Sequence, residues 1–389
     1  MTKKWSSRLT FFAFVVLMVG LGSNDSLRGI FSTIFQEHFS LTTTQLGLIV
    51  TASYIGNLVF LLVGGNLSTR FSKKRVLQVL ILIWMAALAL FAFTSNYTVL
   101  LIGMALALGS STLLNTTMNL ITPLLFATAP GFFVNFLFFT QEIGTSGSQY
   151  ILGSHADGFA FWQHTNLVLL ILGAVAFVLL LFCNVPEEAT DPADTPAQKG
   201  GYDWRIIVPY VLVFGFYFIA EHGVMNWMVA YGVDGLGLPQ ASAAKYLSVF
   251  FGGMMIGRLC LSPLVDKLGA LKSLADFGGV SCVLYLIGSL GGAVTMPVWA
   301  ISGLSFSILY PTLVMSIRLY FPAQQVSGAA GTILSIASLA DILFNVGFGK
   351  LVDMAGYAVS IRVLPLSVLA FFIVFMLFTK FCKPTQKLK

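Results

Sequence analysis

Charge is scarce in this chain. Of 389 residues, 21 are Lys or Arg and 15 are Asp or Glu, so only 9% are charged. A soluble domain carries about 25%, and a water-facing surface cannot be made from so little. Cysteine is scarce as well. Cys183, Cys260, Cys282 and Cys382 are scattered in or beside apolar runs and show no CxxC or zinc spacing, so they read as small packing residues. The phosphate loop GxxxxGK[ST] is missing, as are GxSxG and HExxH, so neither ATP-driven pumping nor hydrolytic or zinc catalysis has support. No long soluble region is present to hold a catalytic site. The expectation is a non-enzyme with no metal and no bound cofactor. The net charge of +6 does not imply nucleic acid, because the basic residues gather at the ends of apolar runs.

What is abundant is apolar surface: 57% of residues are hydrophobic and the mean hydropathy is +0.89. A helix crosses the hydrocarbon layer with about 20 apolar residues, and lipid leaves no other way to satisfy the backbone of repeated runs. Twelve spans are predicted, at 10–36, 43–66, 75–94, 98–126, 131–153, 165–184, 206–231, 242–263, 272–291, 295–319, 326–349 and 358–381. The first run is long and lacks a small-residue cleavage site, so it reads as a helix and not as a signal peptide. The most polar stretch, with Glu187, Glu188, Asp191, Asp194 and three prolines, reads as a solvated linker. The predicted organisation is a six-helix bundle over 1–185, a cytoplasmic linker over 186–205 and a second six-helix bundle over 206–389.

Lys and Arg set the orientation. Lys3, Lys4 and Arg8 precede the first span; Arg70, Lys73, Lys74 and Arg75 join the second to the third; Lys199 and Arg205 end the linker. Lys267 and Lys272 join the eighth to the ninth, and Lys380, Lys383, Lys387 and Lys389 form the tail. With an even number of spans all of these lie on one side, which predicts both termini in the cytoplasm of a cell-membrane protein. The halves repeat. Shifting the sequence by the 197 positions from Arg70 to Lys267 also brings Gly56 onto Gly253, Leu67 onto Leu264 and Arg75 onto Lys272. The same shift sets Asn24–Asp25 against Glu221–His222. Parallel six-helix halves of this kind belong to alternating-access transporters.

The segment Gly65-Asn-Leu-Ser-Thr-Arg70-Phe-Ser-Lys-Lys-Arg75 resembles the loop motif of the major facilitator superfamily, Gly-x-Leu-x-Asp-Arg-x-Gly-Arg-Lys/Arg, with Thr69 in place of the Asp and Ser72 in place of the second Gly. The second-half copy, Ser262-Pro-Leu-Val-Asp266-Lys267-Leu-Gly269, keeps those two residues and lacks the leading Gly. Its physical task is a tight cytoplasmic turn whose charges latch neighbouring helices, with Arg70, Arg75, Asp266 and Lys267 as the latch. Within the superfamily, four patches are similar to the fucose–proton symporter family. They are Asn24-Asp25 with Phe35-Gln36 through Gly56; Leu114-Asn115-Thr-Thr-Met-Asn119; Glu221-His-Gly223 with Asn226-Trp227 and Tyr231; and Gly257-Arg258. The resemblance implies proton-coupled uptake of a monosaccharide or similar polyol, with the helix 1 Asp as proton carrier. It also marks a departure, since that family's sugar symporter has a Glu where this chain has Asn115.

The residues support such a site on their own chemistry. Asp25 lies 14 positions beyond Phe11, about 21 Å along a helix, well inside the bilayer. A carboxylate there faces a cavity or a partner; it either loads and releases a proton or pairs with Arg28 one turn on. Glu142, beside Gln141 and among glycines and serines of the fifth span, is a second titrating candidate or a hydrogen-bonded packing residue. Glu221 and His222 are adjacent, so they point to different faces of one helix, and His222 has the chemistry of a proton relay. The amides Asn24, Asn115, Asn119, Gln141, Asn226 and Asn345 suit sugar hydroxyls, with Trp227 as the ring for the C–H face and Tyr54 and Tyr231 as weaker aromatics. Each is equally readable as interhelical glue. Arg258 reads as an anchor at the cytoplasmic end of the eighth span with Asp266 as its partner; Asp341 reads as a gate contact or a cavity ligand.

The expected function is a proton-coupled symporter, working as a monomer in the lipid bilayer, with the proton as coupling ion and a small solute, a sugar by resemblance, as substrate. An exporter of drugs or metabolites with the same fold is the rival; a membrane sensor is the more distant one.

Overall fold

The computed structural model describes residues 3–126, 130–186 and 202–384; the side chains of 61–70, 262, 266 and a few other helical positions lie outside the description. Among the described residues the chain is helical with no strand. The chain divides into two compact units, Met1–Asp191 and Pro192–Lys389. The first holds α1 (Lys3–Ile30), α2 (Thr43–Arg70), α3 (Lys73–Phe93), α4 (Tyr97–Leu125), α5 (Pro130–Ile151) and α6 (Phe159–Phe182). The second holds α7 (Trp204–Ala230), α8 (Gln240–Leu268), α9 (Ala270–Leu290), the broken α10 (Met296–Ile301, Gly303–Phe306, Leu309–Ser316), α11 (Ala323–Ala355) and α12 (Val363–Phe381). Over the described residues, ten of these helices are long and apolar enough to cross a membrane. The fold is therefore two six-helix bundles of a multi-pass membrane protein.

The two units pair their helices in the same way. In the first, α1 packs on α5 and α6, α2 on α4, and α3 on α4 and α6. In the second, α7 packs on α11 and α12, α8 on α10, and α9 on α10 and α12. Small residues set the closest approaches, as expected where lipid supplies no hydrophobic drive between helices. A Cβ on Gly22 would strike the carbonyl of Gln141, and one on Gly144 the carbonyl of Val19, so α1 and α5 meet backbone to backbone. Gly56 lies against Ala105 of α4 and Gly253 against Leu304 of α10. These two glycines are related by the internal repeat and hold equivalent seams.

Each unit has aromatic cores, with Trp84 and Trp162 fully buried in the first and Trp227 and Trp299 in the second. The outer faces are apolar too. On α6, Val168, Ile171, Val175 and Val178 recur every three or four residues and are 50–63% exposed, a stripe that only lipid would cover.

Two predicted spans differ from the structure. The first was expected over 10–36, yet α1 ends at Ile30 and a separate short helix, Ser32–His38, follows. The tenth was expected as one helix over 295–319, yet it is broken twice. Pro311 removes one backbone donor, and Ser302, Ser305 and Ser307 each return their hydroxyls to carbonyls of the preceding turn (2.5, 2.9 and 2.7 Å). Both effects loosen the helical ladder. Arg75 is exposed, and its neighbour Lys74 donates from Nζ to the carbonyls of Leu181 and Cys183 at 3.0 and 2.7 Å. It caps the C-terminus of α6, where the helix dipole favours a cation. Lys267 is exposed at the end of α8; the side chains of Arg70 and Asp266 lie outside the described residues.

Candidate functional site

The α1–α5 seam carries the first polar cluster. Ser26 and Ser148 share a hydroxyl bond of 2.6 Å, Ser23 Oγ donates to the carbonyl of Gly144 at 3.2 Å, and Thr145 Oγ1 donates to that of Gly22 at 3.2 Å. This rigid seam fixes the rotation of α1, and with it Asp25. The carboxylate accepts from Ser111 Oγ of α4 at 3.3 Å through Oδ2, while Oδ1 is buried without a hydrogen-bond partner. Arg28 acts electrostatically on Asp25 and lies 5.4 Å from the ring centre of Tyr54. Behind Asp25, buried Asn24 accepts from Trp84 Nε1 of α3 at 3.2 Å.

A chain of amides runs beside it. Asn119 Nδ2 donates to Asn115 Oδ1 at 2.6 Å, and Asn115 Nδ2 donates to Gln141 Oε1 at 2.6 Å, joining α4 to α5. All three side chains are half-buried, as is Glu142 next to them. Ser111, Asn115 and Asn119 stand four residues apart, so they form one stripe along α4.

The second unit has a denser counterpart. His222 Nδ1 lies 2.7 Å from Asp341 Oδ2, joining α7 to α11. Asn345 Nδ2 donates to the carbonyl of Asp341 at 2.9 Å and to its Oδ1 at 3.3 Å. Trp227 Nε1 in turn donates to Asn345 Oδ1 at 3.0 Å. Glu221, on the neighbouring face of α7, acts on the hydroxyls of Tyr217, Tyr285 and Tyr310, and Arg258 of α8 acts on Tyr217 and Tyr310. The two adjacent residues thus address different neighbours, α11 for His222 and α9–α10 for Glu221.

The structure sorts the candidates by depth. Asp25, Asn115, Asn119, Gln141, Glu142, Glu221, His222 and Arg258 are half-buried, whereas Asn24, Arg28, Asn226, Trp227, Asp341 and Asn345 are buried. One expectation changes as a result. Trp227 is fully buried against Phe348 (centroids 4.8 Å) with its N–H spent on Asn345, so it braces α7 on α11 and offers no ring to a solute in this conformation. Arg258, expected as an anchor with Asp266, acts on the tyrosines beside Glu221; the side chain of Asp266 lies outside the described residues. Tyr54 and Tyr231 are buried as well. Ser111, Trp84 and Tyr217 also belong to these clusters and do not stand out in the sequence. Ser111 sits one helical turn before Asn115, and Tyr217 one turn before Glu221, so a search at four-residue spacing from each polar candidate finds both.

Comparison with known proteins agrees with this architecture. The sequence profile of the Major Facilitator Superfamily matches residues 10–343. The chain is 23% identical over 332 residues to the L-fucose-proton symporter of Escherichia coli K12, covering 74% of this chain and 75% of that protein. It is 26% identical over 341 residues to a glucose/galactose transporter of Brucella abortus biovar 1, covering 82% and 81%. The crystal structure of a D-xylose-proton symporter superposes with a TM-score of 0.78 at 16% identity, covering 99% of each chain. The profile covers most of the sequence, and the helix pairings repeat in both halves: the chain belongs to the major facilitator superfamily and is a membrane transporter, not an enzyme.

Proposed function

We propose that this protein is a proton-coupled symporter of a monosaccharide or similar small polar solute, acting by alternating access in the cell membrane. The observation that carries the reading is the state of Asp25. Its carboxylate is held mid-helix in the bilayer with one oxygen on a serine and the other buried without a partner. An ionised carboxylate is costly there and a protonated one is not, so the site favours loading a proton together with a solute that can donate to the open oxygen. In the first unit the half-buried amides Asn115, Asn119 and Gln141 supply paired donors and acceptors for hydroxyl groups beside Glu142; in the second unit Glu221 and Arg258 add charge. The buried residues Asn24, Trp227, Asp341 and Asn345 hold these groups in place. Relatives named for fucose–proton and glucose/galactose transport support a sugar as the solute. The proton is the coupling ion, no cofactor is required, and one chain suffices.

The two units, with matched helix pairings, are the bodies expected to move in alternating access. Uptake into proteoliposomes across a panel of labelled sugars, with and without an imposed pH gradient, tests the reading. Accumulation of at least one sugar above its external level, driven by an acidic exterior, is expected. Should no sugar be moved and none compete, the sugar assignment fails; accumulation driven in the opposite sense would instead favour an exporter.

A further inference from the structure

We propose that His222 and Asp341 together form a second proton-binding site, carried by the C-terminal unit while Asp25 belongs to the N-terminal one. The side chain of Asp341 is 2% exposed in a helix long and apolar enough to cross a membrane, where an ionised carboxylate needs fixed partners. It has them. Asn345 is locked by three bonds, one accepted from Trp227 and two donated to Asp341, and so pins the carboxylate through Oδ1. That leaves Oδ2 aimed at His222 Nδ1, 2.7 Å away.

His222 differs from its partner in access. Its side chain is 24% exposed, and its ring stacks on Phe218 at 5.4 Å with an interplanar angle of 6°. One member of the couple is therefore buried and immobile, and the other reaches the exterior of the bundle. A carboxylate bonded to Nδ1 fixes the tautomer and directs proton exchange to the far nitrogen. Charge decides the rest. Imidazole plus carboxylate leaves a net negative charge in a poorly polarisable site. One added proton makes the couple neutral, and it enters at the far nitrogen of the imidazole, the member with access.

The surrounding titratable groups do not duplicate this role. On α7 they are Glu221 and Tyr217; α8 contributes Arg258, α9 Tyr285 and α10 Tyr310, whose ring packs on Phe218 at 6.1 Å. Glu221 and Arg258, of opposite sign, act on the same tyrosine hydroxyls. On α11, Lys350 and Asp353 lie two to three turns beyond Asp341, and on α12 the titratable group is Lys380 near its end. This inference rests on the symport reading only for its use in transport, since the site itself needs no solute to be seen.

The test uses the full chain in lipid vesicles with His38, His155 and His164 replaced by Gln, which leaves His222 as the single imidazole. Solid-state NMR of nitrogen-15-labelled histidine is followed from about pH 5 to about pH 9. We expect Nδ1 to stay protonated throughout, the far nitrogen to gain and lose a proton within the range, and Asp341→Asn to move the midpoint by about one pH unit or more. Asn345→Ala, which frees one carboxylate oxygen, gives a second route to a shift if Asp341→Asn does not fold. An imidazole that keeps one protonation state over the whole range overturns the proposal. So does a midpoint that these substitutions leave in place. Either result leaves the sugar-uptake measurement to stand or fall separately.

Discussion

At the residue scale, the decisive property is how a carboxylate in the bilayer meets its hydrogen-bonding needs. Asp25 meets only half of them, through Ser111, whereas Asp341 meets both through His222 and Asn345. The first is suited to a group that changes state during a cycle, the second to one that holds a partner in position. Asp25→Asn preserves the size and the bond to Ser111 but cannot carry a proton. We expect the variant to lose pH-gradient-driven accumulation while equilibrium exchange of solute survives. Full accumulation in proteoliposomes bearing the variant would refute the role given to Asp25.

At the scale of elements, the seams between helices control where polar residues point. The α1–α5 seam is built from Gly22 and Gly144 in backbone contact and is stitched by Ser23, Ser26, Thr145 and Ser148. A matched pair of substitutions in α5 isolates that effect. Gly144→Ala places a methyl against the carbonyl of Val19, and forced overpacking of this kind costs about 1–3 kcal/mol. Gly147→Ala meets nothing within 4 Å and gains about 0.5–1 kcal/mol from helix propensity. Thermal unfolding in detergent should therefore move down for the first and up for the second; movement in the same direction would remove the seam from the account. The break in α10 belongs to this scale as well. Hydropathy over 295–319 is continuous, and the interruption comes from Pro311 and the serine back-bonds, which a hydropathy window does not weigh.

At the scale of the molecule, the distribution of Lys and Arg predicts which ends face the cytoplasm. With the native cysteines replaced, Ser95→Cys lies between α3 and α4 and Lys383→Cys just past α12, both at exposed positions. A membrane-impermeant maleimide should label Ser95→Cys in intact cells and Lys383→Cys only after permeabilisation. The reverse pattern would invert the orientation.

The sequence by itself determined that the chain lives in a bilayer and that its helices come in two related sets, because charge depletion, run length and a fixed repeat are properties of order along the chain. It also named most of the polar residues, since any polar group in an apolar helix stands out. It did not determine their depth or their partners. Asn24 and Asn115 look alike in sequence, yet one is a buried acceptor for Trp84 and the other a half-buried link in an amide chain. Trp227 looks like a solute platform and is a brace, and among Arg70, Lys73, Lys74 and Arg75 the sequence does not single out Lys74, which holds the end of α6. Those outcomes depend on how far each helix is rotated and which helix lies across from it. Only the packing of one six-helix set against itself decides that, through contacts between residues 26 to 118 positions apart.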